Sequence, residues 1–108
     1  MEEFTKRAVS LILAVPAGKV CSYGGIAAAS GSPNSARQVA RILHSMSEKM
    51  GLPWHRIVGG SGRISLKRGY GFELQRELLL RDGVEVSDDG EIDLEKFGWI
   101  PRADAAGG

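Results

Sequence analysis

The sequence predicts a mostly α-helical domain with a small β hairpin, and three observations lead to this fold class. Several segments place apolar residues at helical spacing, and one glycine-rich turn separates two short apolar runs. The chain has 108 residues, of which 43% are hydrophobic and 25% charged, enough for one core but not for two. We therefore expect a single domain over residues 1–101 and a flexible tail over residues 102–108.

Residues 3–15 predict the first helix, because apolar side chains recur there every three or four positions. Pro16 and Gly18 end it. Its apolar face contains Phe4, Ala8, Leu11, Ile12 and Val15. These residues suit a helix that packs on the core.

A short second helix is predicted over residues 23–30, after the extended pair Val20-Cys21 and with Ser22 as its N-cap. Gly24 and Gly25 are poor helix formers. Glycine is tolerated where a backbone or a ligand approaches closely, so this end of the helix is expected to lie near something large. A frayed first turn is the alternative.

Ser32 or Asn34 can cap a third helix, with Pro33 in its first turn. Its expected buried stripe is Ala36, Val39, Ala40, Leu43 and Met46. Its opposite face carries Arg37, Arg41 and Ser45. This pattern of two short helices joined by a tight turn, with a cationic face on the second, predicts a helix-turn-helix of the winged-helix kind. The second helix of that motif contacts DNA through its N-terminal half.

The second half of the chain predicts the hairpin, one more helix and a packed end. Residues 56–58 and 63–66 are expected to pair as strands around the turn Gly59-Gly60-Ser61-Gly62. A basic loop over residues 67–71 leads into a helix over residues 72–81, which Gly83 stops. The apolar positions of that helix are Leu74, Leu78 and Leu79. Residues 91–101 are too apolar for a free tail, so we expect them to pack on the body.

Cysteine and hydropathy content exclude several classes of protein. Cys21 is the single cysteine, and with His44 and His55 it cannot supply a four-ligand zinc site, so we expect no disulfide, no metal and no cofactor. The longest apolar runs are far below the roughly 20 residues that cross a bilayer, and the start Met1-Glu2-Glu3 is unlike a signal peptide. These features indicate the reducing cytoplasm, with nucleoid association in a bacterial host.

The formal net charge of +1 is unevenly distributed along the chain. Residues 82–108 hold eight acidic and two basic side chains, a net charge of −6, whereas the remaining residues carry +7. A basic body with an acidic tail suits contact with a polyanion, although proteins that never meet nucleic acid show similar imbalances.

Five short motifs resemble those of the O6-alkylguanine-DNA alkyltransferases in order and spacing. The most specific is Pro53-Trp54-His55-Arg56-Ile57-Val58, which resembles the active-site motif Pro-Cys-His-Arg-Val with tryptophan in place of the nucleophilic cysteine. The others are residues 15–20, 22–24, 36–39 and 83–86. The resemblance covers residues 4–101 and points to the alkyltransferase-like proteins. It implies a fold similar to the C-terminal domain of the transferases.

This resemblance implies lesion recognition without repair. An indole at position 54 cannot replace the cysteine thiolate that accepts the alkyl group. His55 takes the place of the base beside the nucleophile, and Asp82 stands near the family's glutamate that orients this histidine. Cys21 lies in a different motif and is expected to be a buried structural residue. Met46 replaces a pocket-facing asparagine of the transferases.

The family's DNA-contacting roles carry over to individual residues. Tyr23 matches the tyrosine that turns the target nucleotide, and Arg37 matches the arginine finger that replaces the extruded base. Trp54 and His55 are placed in the lesion pocket, and either Lys67 or Arg68 occupies the lip that contacts the flipped base. Arg41 is expected to contact phosphate. Further DNA contacts are expected from Ser22, Gly24, Asn34, Ser35 and Ala36.

The expected function is therefore to bind duplex DNA containing O6-alkylguanine, flip the damaged base and flag it for nucleotide excision repair. The partners are damaged DNA and the damage-recognition proteins of that pathway, and the chain is expected to act as a monomer. Two alternatives remain open at this point. One is a residual transferase or hydrolase that uses Cys21 or His55, and the other is a sequence-specific winged-helix regulator.

Overall fold

Helices are the main secondary structure of the computed structural model, which describes residues 1–102. The helices of this part are α1 (Glu3–Ala14), α2 (Tyr23–Ala29), α3 (Ala36–Met50), α4 (Phe72–Arg81) and α5 (Leu94–Phe97). A 3₁₀ turn (Trp54–Arg56) lies between α3 and α4, and the strands are β1 (Cys21–Ser22) and β2 (Ile57–Val58). The prediction of a mostly α-helical fold with a small β element is confirmed. Most of the predicted tail, residues 103–108, lies outside the described residues.

The first core lies between α1, α2 and α3. Leu11, Ile12, Ile26 and Val39 are fully buried in it, and Ile57 closes it from β2. The buried stripe predicted for α3 is partly wrong, because Ile42 is buried while Ala40 is exposed. Ala40 borders an open cavity, so that side of the helix has no apolar neighbour to cover it.

The third helix begins later than the sequence indicates. Its N-cap is Ser35, which makes no side-chain cap hydrogen bond, so the predicted caps Ser32 and Asn34 are wrong. Ser32 Oγ lies 2.6 Å from Ser35 Oγ, and Ser35 N donates to Ser32 O at 3.0 Å. Residues 32–35 thus form a turn of their own before α3 starts.

The predicted hairpin is wrong, because β2 pairs in parallel with β1, with Cys21 opposite Ile57. Gly59 N donates to Arg63 O at 2.8 Å, so the glycine-rich turn does form. The chain after it nevertheless pairs elsewhere, since Ile64 N donates to Gly90 O at 3.0 Å. Gly62, at φ 81°, lets the turn approach the C-terminal segment, because a Cβ there would lie 2.6 Å from Ile92 O.

A second core surrounds α4, whose predicted bounds are confirmed. Its buried residues are Val20, Val58, Ile64, Phe72, Leu79, Val84, Val86, Ile92 and Phe97. The predicted apolar stripe of α4 is wrong at Leu74, which is 52% exposed. The helix instead buries Phe72, Gln75 and Leu79. Gly83, at φ 93°, follows the end of the helix as predicted.

The segment after α4 packs on the body, as its apolar residues predict. Val20 N donates to Phe97 O at 2.9 Å and Trp99 N donates to Val20 O at 2.7 Å, which fixes the segment beside β1. No helix in the described part is long and apolar enough to cross a membrane.

Candidate nucleic-acid interface

An open cavity of about 1010 Å³ lies beside α3. Its wall includes Tyr23 from α2, Arg37 from α3 and Trp54 from the 3₁₀ turn. The other lining residues are Ala36, Ala40, Leu43, His44, Ser47, Glu48, Leu52, Ser65 and Leu66. The fold therefore brings the three principal residues of the sequence prediction to one site, although they are far apart in the chain.

Tyr23 is the first residue of α2, and the start of this helix is fixed by its cap. Ser22 Oγ accepts a hydrogen bond from Gly25 N at 2.9 Å, as predicted for an N-cap. Tyr23 Oη lies 3.1 Å from Ser65 Oγ, and both residues line the cavity. Packing and this contact therefore place a phenol hydroxyl at the cavity wall.

Trp54 begins the 3₁₀ turn and is half-buried, with its ring packed against the first core. The His55 ring meets it edge-on, at 6.1 Å between ring centroids and 84° between planes. Leu43 and Leu52 line the same cavity. The result is an apolar wall of the kind that holds a flat ligand.

Side chains behind Trp54 hold the 3₁₀ turn in place. His55 Nε2 lies 2.9 Å from Asp82 Oδ2, and Arg56 Nε donates to the same oxygen at 2.8 Å. Arg56 Nη1 also donates to Val15 O at 3.1 Å. From α4, Gln75 Nε2 donates to His55 O and Ile57 O, each at 3.0 Å. The turn is therefore tied to the end of α1 and to α4.

The Asp82 carboxylate is the charged centre of this network. Burial opposes its ionisation, but the hydrogen bonds and charges of Arg56 and His55 lower the pKa of Asp82 below its ordinary value of 3.8. The network therefore stabilises the folded protein in the ionised form of this carboxyl group.

Acid titration tests this contribution. A lowered pKa in the folded state means that the stabilisation is complete above pH 3.8 and is lost as the pH falls through the lower folded value. We expect the free energy of unfolding to fall over this acidic window. Asp82→Asn should flatten the fall and lower stability at pH 7. Parallel curves for the two proteins would contradict this role for Asp82.

The two groups named above for a residual transferase or hydrolase, the Cys21 thiol and the His55 ring, are not part of the cavity lining. Cys21 is 4% exposed, and burial raises the pKa of its thiol to about 11, so that it is not a thiolate at neutral pH. The His55 ring lies against Asp82, with Nε2 2.9 Å from Asp82 Oδ2. Neither group therefore belongs to the wall that a ligand in the cavity would contact.

Several sequence-predicted site residues lie away from the cavity wall. Among the predicted DNA contacts only Ala36 lines it, whereas Ser22, Gly24, Asn34, Ser35 and Arg41 do not. Lys67 and Arg68 follow the lining pair Ser65-Leu66 but are not part of the lining. Arg68 Nη2 donates to Asp88 O at 2.9 Å, and its guanidinium lies 4.5 Å from the Phe72 ring centroid.

Sequence reasoning missed part of the wall, chiefly His44, Ser47 and Glu48 of α3. These residues lie two and three helical turns beyond Arg37, on the same side of the helix. This spacing could have predicted them. Residues three or four positions apart lie on the same face of a helix, so a helix with Arg37 at a cavity also places later residues of that face there. Ser65 and Leu66 carried no such signal, because their place depends on pairing with the C-terminal segment.

The acidic segment folds back on the basic body and neutralises part of it. It forms the pairs Arg63–Glu91, Arg68–Asp89 and Arg76–Asp88 with the body, whereas the pair Lys96–Glu85 lies within residues 82–108. Arg37 and Arg41 of α3 are exposed and are absent from the ion pairs of the described residues. Positive charge is therefore left beside the cavity.

Comparisons with known proteins identify the family of the chain. The DNA-binding domain of the 6-O-methylguanine DNA methyltransferases matches residues 3–84. A DNA base-flipping protein of Escherichia coli (strain K12) is 43% identical over 98 residues, which are 91% of this chain and 75% of that protein. Alkyltransferase-like protein 1 of Schizosaccharomyces pombe is 31% identical over 106 residues, 94% of this chain and 98% of the relative.

Solved structures show the same similarity. The crystal structure of S. pombe Atl1 in complex with damaged DNA containing O6-carboxymethylguanine matches with a TM-score of 0.82 and 31% identity, over 94% of this chain and 98% of that one. A variant of the Mycobacterium tuberculosis O6-methylguanine methyltransferase matches at a TM-score of 0.59 and 27% identity, over 88% of this chain and 55% of that one. The resemblance inferred from the motifs is thus confirmed. The chain belongs to the 6-O-methylguanine DNA methyltransferase family, as an alkyltransferase-like member that has a tryptophan where the transferases have their cysteine nucleophile.

Proposed function

We propose that this protein binds duplex DNA containing O6-alkylguanine, rotates the damaged nucleotide into the cavity beside α3 and leaves the alkyl group in place. One observation carries the proposal: Tyr23, Arg37 and Trp54, from three separate elements, line one cavity. Extruding a base costs a few kcal/mol, which contacts to the flipped base and to its orphaned partner must offset. The three residues supply contacts of both kinds.

Arg37 and Tyr23 act on the DNA side of the cavity. Arg37 is the second residue of α3 and is exposed, so its guanidinium can enter the stack and bond the orphaned base. Tyr23 can press on the nucleotide and donate its hydroxyl hydrogen to a phosphate. Its hydroxyl would then exchange the contact with Ser65 for one with DNA.

Trp54 reads the lesion. Its ring shares the cavity wall with Leu43 and Leu52, where it can contact an O6 alkyl group that guanine lacks. The alkyl group stays on the base because the indole is no nucleophile and the Cys21 thiol is buried. His55 serves to hold the turn through Asp82.

The starts of α2 and α3 supply the proposed backbone contacts to DNA. Ser35 makes no side-chain cap hydrogen bond, so amide hydrogens at the start of α3 can meet a phosphate, together with Asn34, Ala36 and the Arg41 side chain. Apart from its chain neighbours and the backbone of its own helix, no described residue would lie within 4 Å of a Cβ at Gly24. The close approach of DNA, rather than the packing of the chain itself, is the proposed reason for this glycine.

Lys67 is the better candidate for the lip residue. Arg68 is engaged by Asp88, Asp89 and Phe72, whereas Lys67 directly follows the lining residue Leu66 and is exposed. A lysine there would contact the flipped base or its phosphate as a flexible point charge. Arg68 would have to leave three partners to do the same.

Because the lesion remains, the bound complex must pass to a pathway that removes it. We propose that the protein, acting as a monomer in the cytoplasm and on the nucleoid of a bacterial host, hands the site to the damage-recognition proteins of nucleotide excision repair. A pull-down of those proteins with immobilised lesion duplex, in the presence and absence of this protein, tests the step. Equal recovery in both would refute it.

A titration of two duplexes that differ only in guanine or O6-methylguanine tests the proposed binding. We expect tighter binding to the methylated duplex, with the methyl label still on the DNA after prolonged incubation. Label on the protein or released as methanol would instead support an enzyme. Preference for one undamaged sequence regardless of methylation would support a sequence-specific regulator.

Salt dependence provides a further prediction. Lysine and arginine contacts to phosphates release counterions, so affinity for both duplexes should fall as salt rises from low to physiological concentration. The slope should be nearly the same for the two, because the lesion adds no phosphate contact. An affinity independent of salt would contradict an interface with phosphate contacts from basic side chains such as Arg41.

A further inference from the structure

The charge on the cavity wall formed by α3 changes from positive to negative along the helix. Arg37 and Glu48 both line the cavity and are eleven positions apart, which is about 16 Å along a helix axis. His44 lies between them on the same wall. These are the charged or titratable side chains that α3 presents to the cavity, and Tyr23 is the titratable group that faces them from α2.

The Glu48 end lies away from the proposed DNA side. In the proposed function the start of α3 meets the duplex, so a flipped base enters the cavity near Arg37, and Glu48 lines the cavity about three helical turns further from the DNA. A cavity of about 1010 Å³ is of the size that holds drug-sized ligands and exceeds a methylated base. It leaves room beyond the base for a longer O6 substituent.

Glu48 has no evident structural task. The ion pairs of the described residues use other carboxylates. Its position near the C-terminal end of α3 places a negative charge where the helix dipole disfavours one. An exposed carboxylate that neither caps nor pairs, at the distal end of a ligand cavity, is available to act on the ligand.

We propose that Glu48 selects lesions by the charge of the O6 substituent. This inference rests on the proposed function and extends it to the class of lesion. A substituent that ends in an ammonium group is attracted by the carboxylate, a hydroxyl group can donate a hydrogen bond to it, and a carboxylate is repelled. The protein therefore favours cationic and neutral polar O6 substituents over anionic ones of the same length.

Four duplexes test the proposal, three with guanine O6 bearing 2-aminoethyl, 2-hydroxyethyl or carboxymethyl and one with plain guanine. Compared with the parent, Glu48→Gln should bind the carboxymethyl duplex more tightly and the aminoethyl duplex more weakly. Each change is expected to be about two- to fivefold, the size of an interaction between exposed charges. Binding to plain guanine should change little by comparison.

Glu95→Gln is the matched control. Glu95 is exposed on α5, outside the cavity lining, and its substitution changes the net charge by the same amount. It should shift all four affinities together, leaving the ratio of aminoethyl to carboxymethyl binding unchanged. Thermal melting checks that both variants fold like the parent.

The ratio of aminoethyl to carboxymethyl affinity decides the outcome. A ratio that Glu48→Gln leaves as it is in the parent overturns selection by Glu48, even where the three lesions are still bound better than guanine. A parent protein that binds none of the three lesions better than guanine overturns the proposed function as well. The two failures are therefore distinguishable in one set of titrations.

Discussion

Arg37→Ala is expected to weaken binding to an O6-methylguanine duplex by about 1–3 kcal/mol, because the change removes both stacking in the vacated site and a hydrogen bond to the orphaned base. Arg37 is exposed, so its truncation should leave the melting temperature nearly unchanged. A 2-aminopurine placed beside the lesion becomes more fluorescent when it loses stacking with a flipped base. This rise in fluorescence on protein binding should be smaller for the variant than for the parent. The same titration then measures affinity and flipping.

Arg41→Ala distinguishes the loss of stacking by Arg37 from the loss of one positive charge. Arg41 lies one helical turn further along α3, is also exposed and does not line the cavity. Its loss should weaken binding to damaged and undamaged duplexes by similar factors and leave the flipping signal in place. If Arg37→Ala behaved in the same way as Arg41→Ala, Arg37 would be a phosphate contact and not the finger.

Local sequence signals predicted elements that are stabilised locally. The bounds of α4 and its glycine stop follow from residues next to each other in the chain, and so does the capping of α2 by Ser22. Strand pairing is not local. The glycine-rich turn after β2 indicated a hairpin, but the partner of β2 is β1, 36 residues earlier in the chain. Pairing these two strands buries Cys21 and Ile57 in the first core, and Val20 and Val58 in the second.

Single residues of the candidate site could be predicted from motifs, but their surroundings depend on the folded chain and could not. Motifs identified Tyr23, Arg37 and Trp54 individually, and the structure brings them to one cavity. Apolar periodicity failed at Ala40, since an amphipathic pattern does not distinguish a side chain in the core from one beside an open cavity. Arg68 shows the same limit for charge, because its partners Asp88 and Asp89 approach only when the acidic segment folds back.

Trp54→Ala is expected to remove most of the preference for O6-methylguanine over guanine, with affinity for undamaged duplex nearly intact. Binding to undamaged duplex comes from contacts to phosphates, which the half-buried indole is not expected to make. Contact with the methyl group of the lesion is worth about 0.8 kcal/mol, or about fourfold in affinity. The domain should remain folded, because a half-buried tryptophan stabilises it by less than the roughly 3–5 kcal/mol of a fully buried one.

Trp99→Ala provides the comparison that isolates recognition from packing. Trp99 is also half-buried and packs against the same first core, but it does not line the cavity. Both truncations should therefore lower the melting temperature, while only Trp54→Ala should bring the affinities for the two duplexes together. The Trp54→Ala protein could instead melt like the Trp99→Ala protein and keep the parent's preference for the methylated duplex. Trp54 would then have a packing role only, and recognition of the lesion would have to be assigned to the remaining apolar wall at Leu43 and Leu52.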